Sequence, residues 1–195
     1  EVVPAVRRAA QTVLFGDRRQ TGPHPFVVDV GRAVDTSRRP ASIVDELGPL
    51  VPRQQLSTHY RSSDGRLFDF ANAQAYGGAI RTFPRPGDER PFRLDVVSGQ
   101  GGVAHEIDRV VDLVAANAAD PARGSLMVVT LTDEHAKRVS TALARRASTD
   151  PALTRYLQSD DPKPLLVRSA RRAQGFTRDV AVVIEDHVAL AARHG

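Results

Sequence analysis

The chain has no cysteine and no tryptophan, a single methionine, and only two lysines, Lys137 and Lys163, among 195 residues. Each shortage excludes something. Without cysteine there is no disulfide, no thiolate nucleophile and no zinc site built on sulfur. That composition fits a cytoplasmic location. A phosphate-binding P-loop needs Gly-Lys-Ser/Thr. Lys137 follows Ala136 and Lys163 follows Pro162, so the sequence contains no such loop. Aromatic residues make up 5% of the chain, too sparse to mark a stacking platform for bases. No apolar run approaches the roughly 20 residues that cross a bilayer. The opening EVVPAVRRAA holds no apolar stretch of signal-peptide length. No membrane partner is expected.

What is present is ordinary in bulk: 41% hydrophobic and 26% charged residues, enough for one domain with a sizeable core or one domain and part of another. The formal net charge is +4, carried by arginine. This permits a nucleic acid or a nucleotide as partner without requiring one.

Hydrophobic spacing predicts the elements. Val2–Ala10 reads as a short helix, Val13–Phe15 as a short buried strand, and 21–41 as a connector rich in Gly, Pro, Arg and Ser. Ser42 is a natural N-cap for a helix to Leu47, stopped by Gly48-Pro49. Gln55–Arg61 reads as a strand end, Asp64–Tyr76 as a helix ended by Gly77-Gly78, and Ala79–Phe83 and Phe92–Val97 as extended runs. His105–Ala119 sets Ile107, Val110, Val111 and Val114 on one helical face. Ser125–Thr130 is an apolar strand, Thr132 caps a helix to about Ala147, and Asp150–Leu157 is another short helix. Asp160–Pro164 is a loop. Leu165–Arg168 and Val180–Ile184 are strands. Apolar strands without polar alternation, separated by amphipathic helices, predict an α/β fold: a mostly parallel sheet flanked by helices, its strands buried on both faces. In such folds chemistry gathers at the carboxyl ends of the strands.

Four polar segments stand at those places: Gly16-Asp17-Arg18-Arg19-Gln20, Leu56 to Ser62, Gly101 to Glu106, and Ala170 to Asp179. A plain turn needs Gly16 and Asp17 but has no use for Gln20. Taken singly, each segment is a weak signal and reads more readily as a turn or a solvated charge than as a site. Their order is more specific. A strand ending GDxxQ, then LxxxYR before a helix with Phe70-x-Asn72, then Tyr76-Gly77-Gly78, Thr82-Phe83-Pro84, SLMVVT, and a strand-QGxxxD-strand unit resembles the superfamily 1 DNA and RNA helicases of the YR-motif group. The resemblance runs from about residue 1 to 187.

That resemblance implies a RecA-like, P-loop NTPase-type motor of two domains with ATP and Mg2+ between them. Residues 1–25 would be the tail of the first domain and its third motif, 26–41 a connector, and 42–195 the second domain without its C-terminal end. Asp17, Gln20 and Arg61 would be catalytic, with Gln20 near the γ-phosphate and Arg61 an arginine finger. Gly16, Tyr60, Glu106, Gln174 and Gly175 would lie at the nucleotide, and Thr58, Ser169 and Arg171 would touch strand phosphates. Partners would be single-stranded DNA or RNA and the missing first RecA-like domain. No metal site is expected on this chain, which would bind no cofactor tightly and hydrolyse nothing by itself.

The sequence also departs from the family. RRQTGPHP replaces the Pro, Lys and Leu-Pro-Pro usual around Gln20, and Thr177 stands where relatives carry Glu after Gln-Gly. These departures support an alternative: a degenerate helicase-like domain that binds nucleic acid or protein without catalysis. An unrelated doubly wound enzyme would need an acid–base pair, and His59, His105 and His135 suggest none.

Overall fold

The computed structural model describes residues 3–20, 42–62, 64–83, 91–97, 102–120 and 122–185. The expected connector over 21–41, Pro84, Gly101 and the end of the chain from 186 lie outside the described residues. The chain forms two compact units, Glu1–Leu94 and Asp95–Gly195.

The first unit is helix and irregular chain. Helix α1 spans Val3–Arg8, as the spacing predicts. The predicted strand at Val13–Phe15 does not form. Val13 is 66% and Phe15 82% exposed. An apolar run becomes a strand only when a neighbour completes its hydrogen-bond ladder, and no described segment pairs with it. Helix α2 (Ile43–Leu47) starts where Ser42 Oγ accepts the Val44 N–H at 3.1 Å. Gly48-Pro49 does not stop the chain but turns it into a 3-10 helix, Gly48–Leu50. Proline is tolerated there because an N–H in a first turn has no helical partner to lose.

Helix α3 spans Arg66–Tyr76. The Asp64 carboxylate, almost fully buried, accepts the Arg66 N–H at 2.9 Å and opens the helix. Gly77 closes it in the left-handed conformation (φ 61°), which a side chain would resist. The predicted strand around Gln55–Arg61 is reduced to one parallel bridge, Thr58 with Arg81.

The second unit holds the sheet. Helix α4 (Gly102–Ala119) begins three residues before the expected start at His105. It is followed by β1 (Leu126–Thr130), α5 (Asp133–Ala147), α6 (Pro151–Leu157), β2 (Leu166–Ser169), α7 (Ala170–Ala173) and β3 (Val180–Val183). Thr132 Oγ1 caps α5 by accepting the His135 N–H at 3.1 Å. The Asp150 carboxylate caps α6 by accepting the N–H groups of Ala152 and Leu153, each at 3.1 Å. The three strands are parallel in the order β2-β1-β3, with Met127 opposite both Leu166 and Ala181. The fold is α/β, as expected.

Its core joins Val110, Val111 and Val114 of α4, Leu126 and Val128 of β1, Val139 and Leu143 of α5, and Leu153 and Tyr156 of α6. One expectation fails. Among the described residues only β1 has neighbours on both edges and alternate residues fully buried. β3 is mostly exposed, with Val183 at 71%. An apolar sequence is the same for a central strand and an edge strand; what differs is the cover supplied by other elements. The start of β3 is pinned by a polar contact. The Asp179 carboxylate accepts the Ser125 O–H at 2.6 Å and its N–H at 2.9 Å. The Ser125 hydroxyl and N–H hold the Asp179 pKa below its ordinary value.

No helix among the described residues is long and apolar enough to cross a membrane.

Leu153 has 0% exposure at the centre of the core. Leu153→Ala should lower unfolding free energy by about 2–5 kcal/mol, read by urea denaturation of the chain; a loss within error of zero would remove α6 from the core.

Candidate functional site

The Gly16–Gln20 loop is built around one carboxylate. Asp17 accepts the Arg19 N–H at 2.9 Å and the Gln20 side-chain amide N–H at 3.0 Å. The Gln20 backbone N–H reaches the Asp17 carbonyl at 3.2 Å. The Tyr76 hydroxyl, from the last residue of α3, donates to the second Asp17 oxygen at 2.6 Å. Burial works to raise the Asp17 pKa. The hydrogen bonds from Tyr76, Arg19 and Gln20, with the Arg19 charge, outweigh it and hold the carboxyl below the ordinary aspartate value. The same bond raises the Tyr76 phenol above its usual value, because losing its proton would forfeit the contact beside a negative charge.

The loop also rests on α2. Arg18 pairs with Asp45 at 2.9 Å and donates to the Val44 carbonyl at 3.2 Å. Both charged groups are about half exposed, so the pair orients the loop more than it stabilises it. Gly16 is required by space: a Cβ there would collide with the Val44 side chain.

Segment 57–62 is held from the other end of α3. The His59 ring stacks on Phe68 with centroids 4.1 Å apart and planes 11° from parallel. His59 Nε2 accepts the Ser62 N–H at 3.2 Å and lies 2.9 Å from Ser62 Oγ. The proton of the neutral ring is therefore on Nδ1. Tyr60, at 86% exposure, and Arg61, also exposed, lie between those two anchors. Arg61 makes no ion pair among the described residues. Thr58 is exposed beside the Arg81 bridge.

The remaining predicted residues fall in the second unit. Glu106 is half-buried near the start of α4. Ser169, Arg171, Gln174 and Gly175 follow one another along the carboxyl end of β2, α7 and the turn after it, where Gly175 has φ 89°. Ser169 is 3% exposed, and its hydroxyl donates to Asp133 at 2.5 Å. Arg172 pairs with the other Asp133 oxygen at 3.2 Å. A shallow cavity of about 220 Å³ opens there, lined by Asp133, Lys137, Arg168, Ser169 and Arg172 among others. Three cationic side chains face one carboxylate. That balance suits the oxygens of a phosphate. Arg171 is exposed next to it.

The sequence reading missed Phe68 and Tyr76 as parts of the first site and Lys137, Arg168 and Arg172 as parts of the second. Their signal was spacing: Phe68, Asn72 and Tyr76 recur every four residues, so they share a helix face.

No group of three or more His, Asp or Glu able to hold a metal lies among the described residues. Asp17 is occupied by Tyr76, Arg19 and Gln20. Comparison with family models, with curated proteins and with solved structures found no match.

Asp17 is more acidic folded than unfolded, so it stabilises the ionised loop at neutral pH. That contribution is present above the unfolded carboxyl pKa, about 3.9, and is lost as pH falls through the lower folded value. Asp17→Asn should therefore be less stable than wild type at pH 7, with the gap closing in acid. Denaturant titrations at a series of pH values check this; a gap independent of pH would remove the carboxylate charge from the account.

Proposed function

We propose that this chain is the C-terminal motor part of an ATP-dependent superfamily 1 helicase or translocase, with a RecA-like second domain. The observation that carries the reading is the presentation of Tyr60 and Arg61. The two stand exposed between anchored neighbours, in a turn held through His59 by Phe68 of α3, the helix whose Tyr76 also holds the Gly16–Gln20 loop. A guanidinium meant for a substrate phosphate is expected to be solvent-facing and unspent at rest, because a strong internal pair would have to be broken first. The parallel β2-β1-β3 sheet, with Ser169 and a basic cavity at its carboxyl edge, adds support. In this reading Arg61 stabilises charge on a triphosphate and the exposed Arg171 contacts a phosphate of a single DNA or RNA strand, whereas Ser169, 3% exposed with its hydroxyl given to Asp133, does not reach one. The phosphate loop and the acids for Mg2+ come from the first RecA-like domain of the full-length protein.

The second reading is a helicase-like binding module without catalysis. Gln20 favours it, since its amide is turned inward on Asp17. So does Thr177, which has no carboxylate to hold a ribose or neighbouring loop.

Steady-state ATP hydrolysis by the full-length gene product, with and without single-stranded DNA and RNA, separates them. Strand-stimulated hydrolysis supports the motor and says which polymer it follows. A folded full-length protein that hydrolyses nothing overturns the motor in favour of the module. Within the motor reading, Arg61→Ala should cut turnover by at least about a hundredfold with little change in nucleotide affinity. A change within about twofold takes Arg61 out of the reaction.

A further inference from the structure

We infer that Tyr76 is a positioning residue that ties the Gly16–Gln20 loop to the turn carrying Tyr60 and Arg61, so that both are set by one helix. The inference rests on the motor reading only for what Arg61 does; the mechanical coupling stands on geometry.

The coupling begins at a bond between residues far apart in sequence, Tyr76 and Asp17, 2.6 Å long. A hydrogen bond to an ionised acceptor is among the stronger ones a side chain makes. The Tyr76 ring lies 5.7 Å from Phe68, one of its neighbours along the same face of α3, at a tilt of 37°. Phe68 in turn carries His59 in a close stack. Aromatic contacts of this kind contribute about 0.5–1.5 kcal/mol beyond their buried area. His59 then closes on Ser62, three residues on, and Tyr60-Arg61 form the apex of that closed turn.

A second path runs beside the rings. Asn72 lies between Phe68 and Tyr76 on the same face. Its amide donates to the Ile80 carbonyl at 2.7 Å, and its oxygen accepts the Ile80 N–H at 3.2 Å. That two-way grip fixes the chain at Arg81. Arg81 donates its N–H to the Ser57 carbonyl at 2.7 Å and accepts the His59 N–H at 2.9 Å. The Tyr60-Arg61 turn is therefore gripped through His59 twice, once by its ring and once by its backbone. Both grips originate on the α3 face that ends at Tyr76.

The device has one removable part. Tyr76→Phe keeps the ring and its packing but deletes the only hydroxyl of α3 that reaches Asp17. Amide hydrogen exchange of the 195-residue chain reads the consequence. Exchange should quicken at Arg19 and Gln20 and also at His59 and Arg81, while the β1 amides keep their protection and show that the fold survives. Faster exchange at Arg19 and Gln20 alone would overturn the coupling, because the loop would then be released without disturbing the turn.

Phe68→Leu provides the converse. It should quicken exchange at His59 and Ser62, and unchanged exchange there would likewise overturn the coupling. In the full-length protein, Tyr76→Phe should lower kcat for ATP roughly ten- to a hundredfold at unchanged KM, the effect of a misplaced rather than a missing group. Coupled exchange with wild-type kcat would leave the coupling intact and overturn the role of Arg61 instead.

Discussion

Strand β1 is the constraint on which the second unit depends. Among the described residues it is the one strand with a neighbour on each edge, and Leu126, Val128 and Thr130 are all at 1% exposure or less. Helices α4, α5 and α6 bury their apolar faces around it. A parallel strand in that position leaves its carboxyl end facing a small number of loops. There Thr130 donates to the Thr132 carbonyl at 2.7 Å, Thr132 caps α5, and Asp133 receives Ser169 and Arg172. The polar edge is a product of the apolar centre: the strands end together because their register is set by burial.

The first unit is organised by a different force. None of its described apolar side chains is buried, and Phe15, Leu56, Phe70 and Leu94 are each at least 74% exposed. What holds its parts in place is a set of directed contacts: Asp17 to Tyr76, Arg18 to α2, Asn72 to Ile80, and His59 between Phe68 and Ser62. Hydrogen bonds of this sort specify geometry well and contribute about 0.5–1.5 kcal/mol each. Such a unit opens locally at low cost. That property suits a segment whose residues are to engage a ligand, and it makes the tie through Tyr76 more important than it would be over a packed core.

The elements with strong local signals were legible. Ser42, Thr132 and Asp150 announce helix starts because each side chain accepts an N–H close by in sequence. Gly77 and Gly78 announce an end because both take positive φ there, which a side chain would resist. The apolar run of β1 and the stripe Val110, Val111 and Val114 announced the core of the second unit. Val13–Phe15 carried a similar apolar signal and formed nothing, since no partner strand lies beside it among the described residues. Of the candidate site, Asp17 and Gln20 were visible as a pair three residues apart. Tyr76 was not, because 59 residues separate it from Asp17 and no local rule spans that distance.

The sequence by itself therefore determined where the helices lie to within a few residues, the parallel α/β character of the second half, the lack of cysteine and of a phosphate-loop motif, and the local grouping of Gly16 to Gln20. Each of these follows from interactions within a few residues or from composition. Only the tertiary structure decided which strand is central, which is edge, that Asp17 is tied to α3, that Tyr60 and Arg61 sit at the apex of a turn closed by His59, and that Lys137 and Arg168 share a cavity with Ser169. Those outcomes depend on which surfaces meet, and surfaces meet only after the chain has brought distant residues together.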